Sequence, residues 1–339
     1  MWLTNSSIGR KLIMSVTGVC LILFLTFHVL MNAVAIVWPT AYNTICQLLG
    51  ANWYALVASM GLAALFVLHI VYAFILTLQN RKARGNDRYN VTTLPPHVEW
   101  SSNNMLVLGV VVVAFLAVHM IQFWAKMQLA EIISHDPATW AQVEGVPAHP
   151  AFGTLFIQAA FSEIWTSVIY IVGFVALWFH MNHGFWSMFQ TAGWNNGTWM
   201  PRLKKVASAW TTIVVGLFVV QALVFTWKAN EKFYLNDPQL QEQYGEFWAE
   251  EIEEVKANMI EEVAKLDLMA NQTPETEMKA AEIEEAAIAK VVSFVGMIEK
   301  QAPSYYKTLL LNANMNRDMF TLMAIQQHEM QKQNPEPTK

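Results

Sequence analysis

Polar and apolar positions divide the chain in two. Five apolar runs, roughly 12–37, 53–78, 104–128, 163–190 and 207–227, fill most of the first 228 residues. About 20 apolar residues in a helix cross the hydrocarbon layer of a bilayer, so each run is predicted to be a transmembrane helix. The first run starts at Leu12 behind Arg10 and Lys11, is too long for a signal-peptide core and lacks a small-residue cleavage site; it is read as retained. Residues 38–52 and 129–162 are read as loops. Beyond residue 228 the pattern changes. Trp248, Ile252, Val255, Met259, Val263 and Leu266 recur at helical spacing with glutamates between them, as do Ile283, Val291, Val295 and Ile298. With Pro274 and Pro303 as punctuation, three amphipathic helices are expected near 238–269, 275–301 and 304–332. The expected architecture is all-α: an integral membrane five-helix bundle over residues 1–228, and an acidic helical extension over 229–339.

Composition agrees with that division. The chain is 55% hydrophobic and only 14% charged, against about 25% charged in ordinary globular domains, which excludes a soluble fold for most of it. Cys20 and Cys46 are the two cysteines, too few for a disulfide scaffold, and they are read as unpaired thiols. Charge is unevenly placed. Residues 1–230 hold 11 Lys/Arg and 6 Asp/Glu, whereas residues 231–339 hold 10 Lys/Arg and 20 Asp/Glu. Basic residues mark the N-terminus (Arg10, Lys11), the loop after the second run (Arg81, Lys82, Arg84, Arg88) and the loop after the fourth (Arg202, Lys204, Lys205). The loop at 38–52 has no charge, and the one at 129–162 has only Glu131, Asp136 and Glu144. The positive-inside rule then puts the N-terminus in the cytoplasm and, after five crossings, the C-terminus outside a bacterial cytoplasmic membrane. Membrane lipid is the expected surroundings, and nucleic acid is not an expected partner.

The candidate chemistry is histidine. Of nine histidines, His28, His69, His119, His180 and His183 fall within the apolar runs, while His97, His135, His149 and His328 fall in loops or the extension. His28 lies ten residues before Trp38 and His119 nine before Gln128, both at outer ends. His69 lies nine before Leu78 and His180 ten before Gln190, both at inner ends. Two histidines thus share one depth and two share another. This sorting points to two bis-histidine sites, His28 with His119 outside and His69 with His180 inside. Bis-imidazole ligation fills both axial positions of a haem iron and suits electron transfer. Zinc needs further N, S or O ligands, and near these depths there is only Cys20. His183, three residues from His180, shares its helix face and is read as its hydrogen-bonding neighbour. Gly18, Gly61, Gly109 and Gly173 each precede a candidate ligand by seven to ten residues, where a porphyrin or a helix can approach closely.

One histidine on each of four of the five runs resembles the dihaem cytochrome b subunit of succinate dehydrogenases and fumarate reductases, in particular the single-anchor type that works with menaquinone. Arg10-Lys11-Leu12, Ser15-Val16-Thr17-Gly18 and His28-Val29-Leu30-Met31-Asn32 look like that family's first span, and the stretch from His180 to Thr191 looks like its fourth. The resemblance covers roughly residues 1–228. It implies two haem b groups with His28, His69, His119 and His180 as axial ligands, a cytoplasmic flavoprotein and an iron–sulfur subunit as partners, and quinone, menaquinone above all, as the membrane substrate. The chain would carry electrons and not itself act on succinate or fumarate. Two departures stand out. Some members carry a glutamate where this chain has Trp178. The family's quinone-site carboxylate near the outer end of the second span has no counterpart in residues 38–60, so Glu163 is the nearest substitute. Alternatives are the dihaem cytochrome b of a nitrate reductase or hydrogenase, which usually draws its ligands from fewer helices, and a non-redox membrane anchor with structural histidines.

Overall fold

The computed structural model describes residues 6–50, 52–84, 99–134, 136–267 and 273–333. Arg88, His97 and His135 lie outside the described residues. The described chain is almost wholly helical and forms two compact units, Met1–Ala141 with His149–Glu231, and Gln142–Ala148 with Lys232–Lys339.

The first unit holds α1 (Ser7–Val37), α2 (Pro39–Leu48), α3 (Trp53–Arg84), α4 (Trp100–Asn103), α5 (Met105–His119), α6 (Gln128–Ile133), α7 (Gly153–Phe161), α8 (Ile164–Thr191) and α9 (Trp199–Asn230). Of these, α1, α3, α5, α8 and α9 are long and apolar enough to cross a membrane. Their ends follow local chemistry. The Ser6 side chain caps α1 by accepting from the Gly9 amide. Gly193, at φ 85°, ends α8. There the amides of Gly193 and Trp194 reach back to the carbonyls of Gln190 and Phe189, a Schellman arrangement that only a left-handed residue closes. Helix α8 is central, packing on α1, α5 and α9, while α1 packs also on α3. It buries Tyr170, Gly173, Phe174, Leu177 and Met181. By contrast, α3 leaves Trp53 77%, Met60 72% and Val57 66% exposed.

Three expectations for residues 1–231 need correction. The loop at 38–52 contains α2, which Pro39 starts at a first-turn position where its missing N–H is harmless. The loop at 129–162 contains α6, α7 and the hairpin of β1 (Gln142–Val143) with β2 (Val146–Pro147). The third apolar run is not one α-helix: α5 stops at His119 and gives way to a π-turn over Met120–Trp124.

The second unit is that hairpin with α10 (Phe233–Asn236), α11 (Pro238–Lys265), α12 (Pro274–Gln301), α13 (Pro303–Asn316) and α14 (Met319–Gln333). Asp237 caps α11 through the amides of Gln239 and Leu240, and Thr273 with Thr276 forms a capping box on α12. Trp248, Tyr244, Leu240, Ile252, Phe294, Val295 and Ile298 make its core. The Trp248 indole N–H donates to Gln301 Oε1, and Gln301 Nε2 donates to the Pro147 carbonyl of the hairpin.

The helix expected over 304–332 is two helices. Arg317 takes a left-handed conformation at φ 53°, and the amides of Arg317 and Asp318 return to the carbonyls of Asn314 and Ala313. Asp318 then caps α14 through the Thr321 amide. It also pairs with Lys256 of α11 at 2.6 Å.

Burial opposes the charged form of Asp318, but hydrogen bonds from Lys256 and Thr321 outweigh it and hold the carboxyl below its usual range. A depressed carboxylate stabilises above its unfolded value and stops doing so as pH falls through the folded one. Asp318→Ala is therefore expected to destabilise the second unit at neutral pH by about 1–2 kcal/mol. It should also flatten the acid loss of stability. Hydrogen exchange over residues 303–333, followed downward from neutral pH, checks both.

Candidate functional site

Four histidines on four apolar helices meet in two pairs. His28 of α1 and His119 at the end of α5 have ring centroids 5.8 Å apart, nearly perpendicular at 87°. His69 of α3 and His180 of α8 are 6.3 Å apart at 67°. The two pairs occupy different levels. On α1, Gly18 faces the His69 ring, and on α5, Gly109 faces the His180 ring; a Cβ at either glycine would sit 3.6 Å from the imidazole Cε1. Gly18 and His28 are ten residues apart on one helix, as are Gly109 and His119 on another. At 1.5 Å per residue, both helices put the levels about 15 Å apart.

Each ring is held differently. The His119 Nδ1 lies 3.1 Å from the Tyr170 hydroxyl, which donates to Gln122 Oε1 at 2.9 Å, and Gln122 Nε2 donates to Thr166 Oγ1. The His69 Nδ1 lies 3.1 Å from Thr17 Oγ1. At His28, Asn32 Nδ2 donates to Nε2 at 3.1 Å, and Tyr42 donates to Asn32 Oδ1. The His180 Nδ1 is buried without a hydrogen-bond partner. Aromatic rings pack around the His28–His119 pair: Phe24 stacks on His28, and Phe115 and Phe123 lie against His119.

His183 belongs to another cluster. Its ring meets Trp186 edge-on, and its Nδ1 lies 3.7 Å from Glu99, which pairs with Lys204 at 2.7 Å. The Lys204 ammonium sits over the Trp186 ring. Trp178 donates to Thr212 Oγ1. Glu163 is exposed at the N-cap of α8 and makes no side-chain capping bond. Glu131, one of the loop charges, approaches the turn just before α3, where a Cβ on Gly50 would lie 2.5 Å from its Oε2. Nothing in the sequence near residue 50 signals this contact, because α6 brings it from about 80 residues away. Among the remaining glycines, Gly173 faces Phe115 and Gly61 faces open space. Both cysteines are free thiols.

The donor set discriminates between metals. Among the described residues no group of three or more His, Cys, Asp or Glu side chains converges, whereas tetrahedral zinc takes three or four protein ligands. A haem brings four equatorial nitrogens of its own and asks the protein only for axial ligands. With metal–imidazole bonds of about 2 Å, two axial rings stand with centroids roughly 6 Å apart, close to both observed spacings. At His69 and His119 the outer nitrogen Nδ1 is the bonded one, leaving Nε2 for a metal. At His28 the Asn32 amide occupies Nε2, so ligation there requires that amide to turn away. His180 has an orphan buried nitrogen. By ring spacing, each pair could hold a haem through two axial imidazoles, provided that the Asn32 amide leaves His28. Comparison of the chain with protein-family models, characterised proteins and solved structures gave no match.

A methyl at Gly173 would land on the Phe115 ring, under 3 Å from its Cβ and Cδ2. Gly173→Ala is expected to push α5 from α8 and destabilise the bundle by about 1–3 kcal/mol. Gly61→Ala, with nothing within 4 Å, should not. Thermal unfolding of both variants in detergent makes the comparison.

Proposed function

We propose that the chain is a membrane-anchor cytochrome b. In this reading His28 with His119 and His69 with His180 hold two b haems. It passes electrons between a cytoplasmic flavoprotein and iron–sulfur pair of the succinate dehydrogenase or fumarate reductase type and membrane quinone, menaquinone in particular. The observation that carries the reading is the meeting of four histidines from four apolar helices as two ring pairs, about 15 Å apart in level. Bound haem supplies one-electron ferric–ferrous chemistry without an open oxygen site.

The chain's own residues supply the rest. Thr17 and Tyr170 orient His69 and His119. The aromatic cluster of Phe115, Phe161, Phe174 and Phe218 keeps water from the outer pair. Quinone chemistry needs a proton acceptor, and Glu163, exposed at the N-cap of α8, is the candidate for it. At the inner ends, exposed Lys11, Arg81 and Lys82 offer positive charge to a soluble partner or to haem propionates. Membrane insertion is supported by the five long apolar helices and by the uncovered apolar surface of α3, since soluble proteins rarely expose large contiguous apolar surface.

The purified protein is expected to give b-type bands in a reduced-minus-oxidised spectrum, with two haems per chain. His69→Ala and His180→Ala should remove the same haem, and His28→Ala and His119→Ala the other. A colourless folded protein refutes the dihaem reading, and loss of one common haem in His69→Ala and His28→Ala refutes the pairing. For topology, protease added outside spheroplasts is expected to degrade residues 232–339 and spare the apolar helices. Cleavage of that segment only from the cytoplasmic side would reverse the orientation.

A further inference from the structure

We infer that Thr17 and Tyr170 are positioning residues that fix the proton on one histidine of each pair and so set the potentials of the two haems independently; this rests on the dihaem reading. The argument is one of counting protons. A hydroxyl carries one. The Thr17 hydroxyl gives its proton to the carbonyl of Ile13 at 2.9 Å, shared with that of Met14 at 3.1 Å. Only lone pairs remain on Oγ1, so its contact with His69 Nδ1 is a bond donated by the imidazole N–H. The Tyr170 hydroxyl is committed in the same way, its proton going to Gln122 Oε1, whose own amide nitrogen is tied to Thr166. Tyr170 therefore accepts from His119 Nδ1–H. Both rings are thereby held as the tautomer whose Nε2 carries a free lone pair, the form that binds a metal.

The opposite member of each pair has no such acceptor. His180 Nδ1 is buried and unpartnered, and the bond made to His28 is donated by Asn32 to Nε2. Each haem would thus have one ligand whose N–H is drawn toward an oxygen and one whose N–H is not. Donation from the far nitrogen raises the basicity of the ligating one. A more basic axial ligand favours ferric over ferrous iron and lowers the midpoint potential. Thr17 acts on the inner level alone and Tyr170 on the outer level alone, because their remaining partners, Ile13, Met14 and Gln122, are not shared.

Redox titration of the purified dihaem protein, followed optically and by electron paramagnetic resonance of the ferric haems, tests this. Each midpoint is attributed by its loss in His180→Ala or His28→Ala. Thr17→Val is expected to raise the inner midpoint and leave the outer unchanged. Tyr170→Phe, which keeps the ring against Phe115, Phe161 and Phe174, should raise the outer midpoint only. Both should alter the resonance of the haem concerned, since a ring without its anchor turns. Thr17→Ser keeps the hydroxyl and should behave as wild type. If Thr17→Val loses the inner haem while Thr17→Ser retains it, the positioning role also stands. Two haems with unmoved midpoints and resonances in both Thr17→Val and Tyr170→Phe would overturn this inference alone, as would equal shifts in Thr17→Val and Thr17→Ser. A wild-type protein without haem would overturn the dihaem reading and this inference with it.

Discussion

An imidazole inside an apolar helix must find its polar partners within the protein. Burying a polar group without compensation costs several kcal/mol on hydrocarbon scales, and intramembrane ionisable residues are accordingly paired and scarce. In the first unit two of the four paired rings meet it across helices. Three of the four paired histidines are bonded by side chains, of which Thr17 and Tyr170 come from other helices. The fourth, His180, faces Gly109, where no side chain stands between it and α5.

The constraint also accounts for the central place of α1 and α8. Helix α1 offers Thr17 at one level and His28 at the other, and α8 offers Tyr170 and His180. These two helices serve both levels, and they pack on one another. Helix α3 contributes a histidine only to the His69–His180 level and remains largely uncovered by protein. Hydrogen bonds from α9 to α1, Gln221 to the Val29 carbonyl and Lys228 to the Ile36 carbonyl, fasten the bundle beside His28.

Much of this was legible in the sequence. The five long helices announce themselves by uninterrupted apolar length, and counting residues from their ends brings out which rings would be neighbours. The partners of those rings were not legible. Thr17 lies 52 residues from His69 and Tyr170 lies 51 from His119, and no local pattern distinguishes either hydroxyl from others nearby. The break at Arg317 escaped for a different reason. Left-handed helix ends usually carry glycine, and here an arginine adopts that conformation, with Asp318 restarting the helix. Helix α2 was masked by its shortness and by the proline that begins it.

The hairpin over residues 142–148 has a bearing on how the molecule is assembled. It leaves the chain between α6 and α7, yet its partner Gln301 lies 154 residues after Pro147. During synthesis the hairpin emerges well before α11 and α12 exist, and contacts of such separation form late. The second unit closes only after α8 and α9 have been made. A segment beginning at residue 232 would be a severed domain rather than a detachable appendage. Its Gln301 amide would lose its acceptor, the Pro147 carbonyl, and its helices the strands they pack on. The boundary between the two units is thus crossed by the chain three times, so a single nick cannot separate them cleanly.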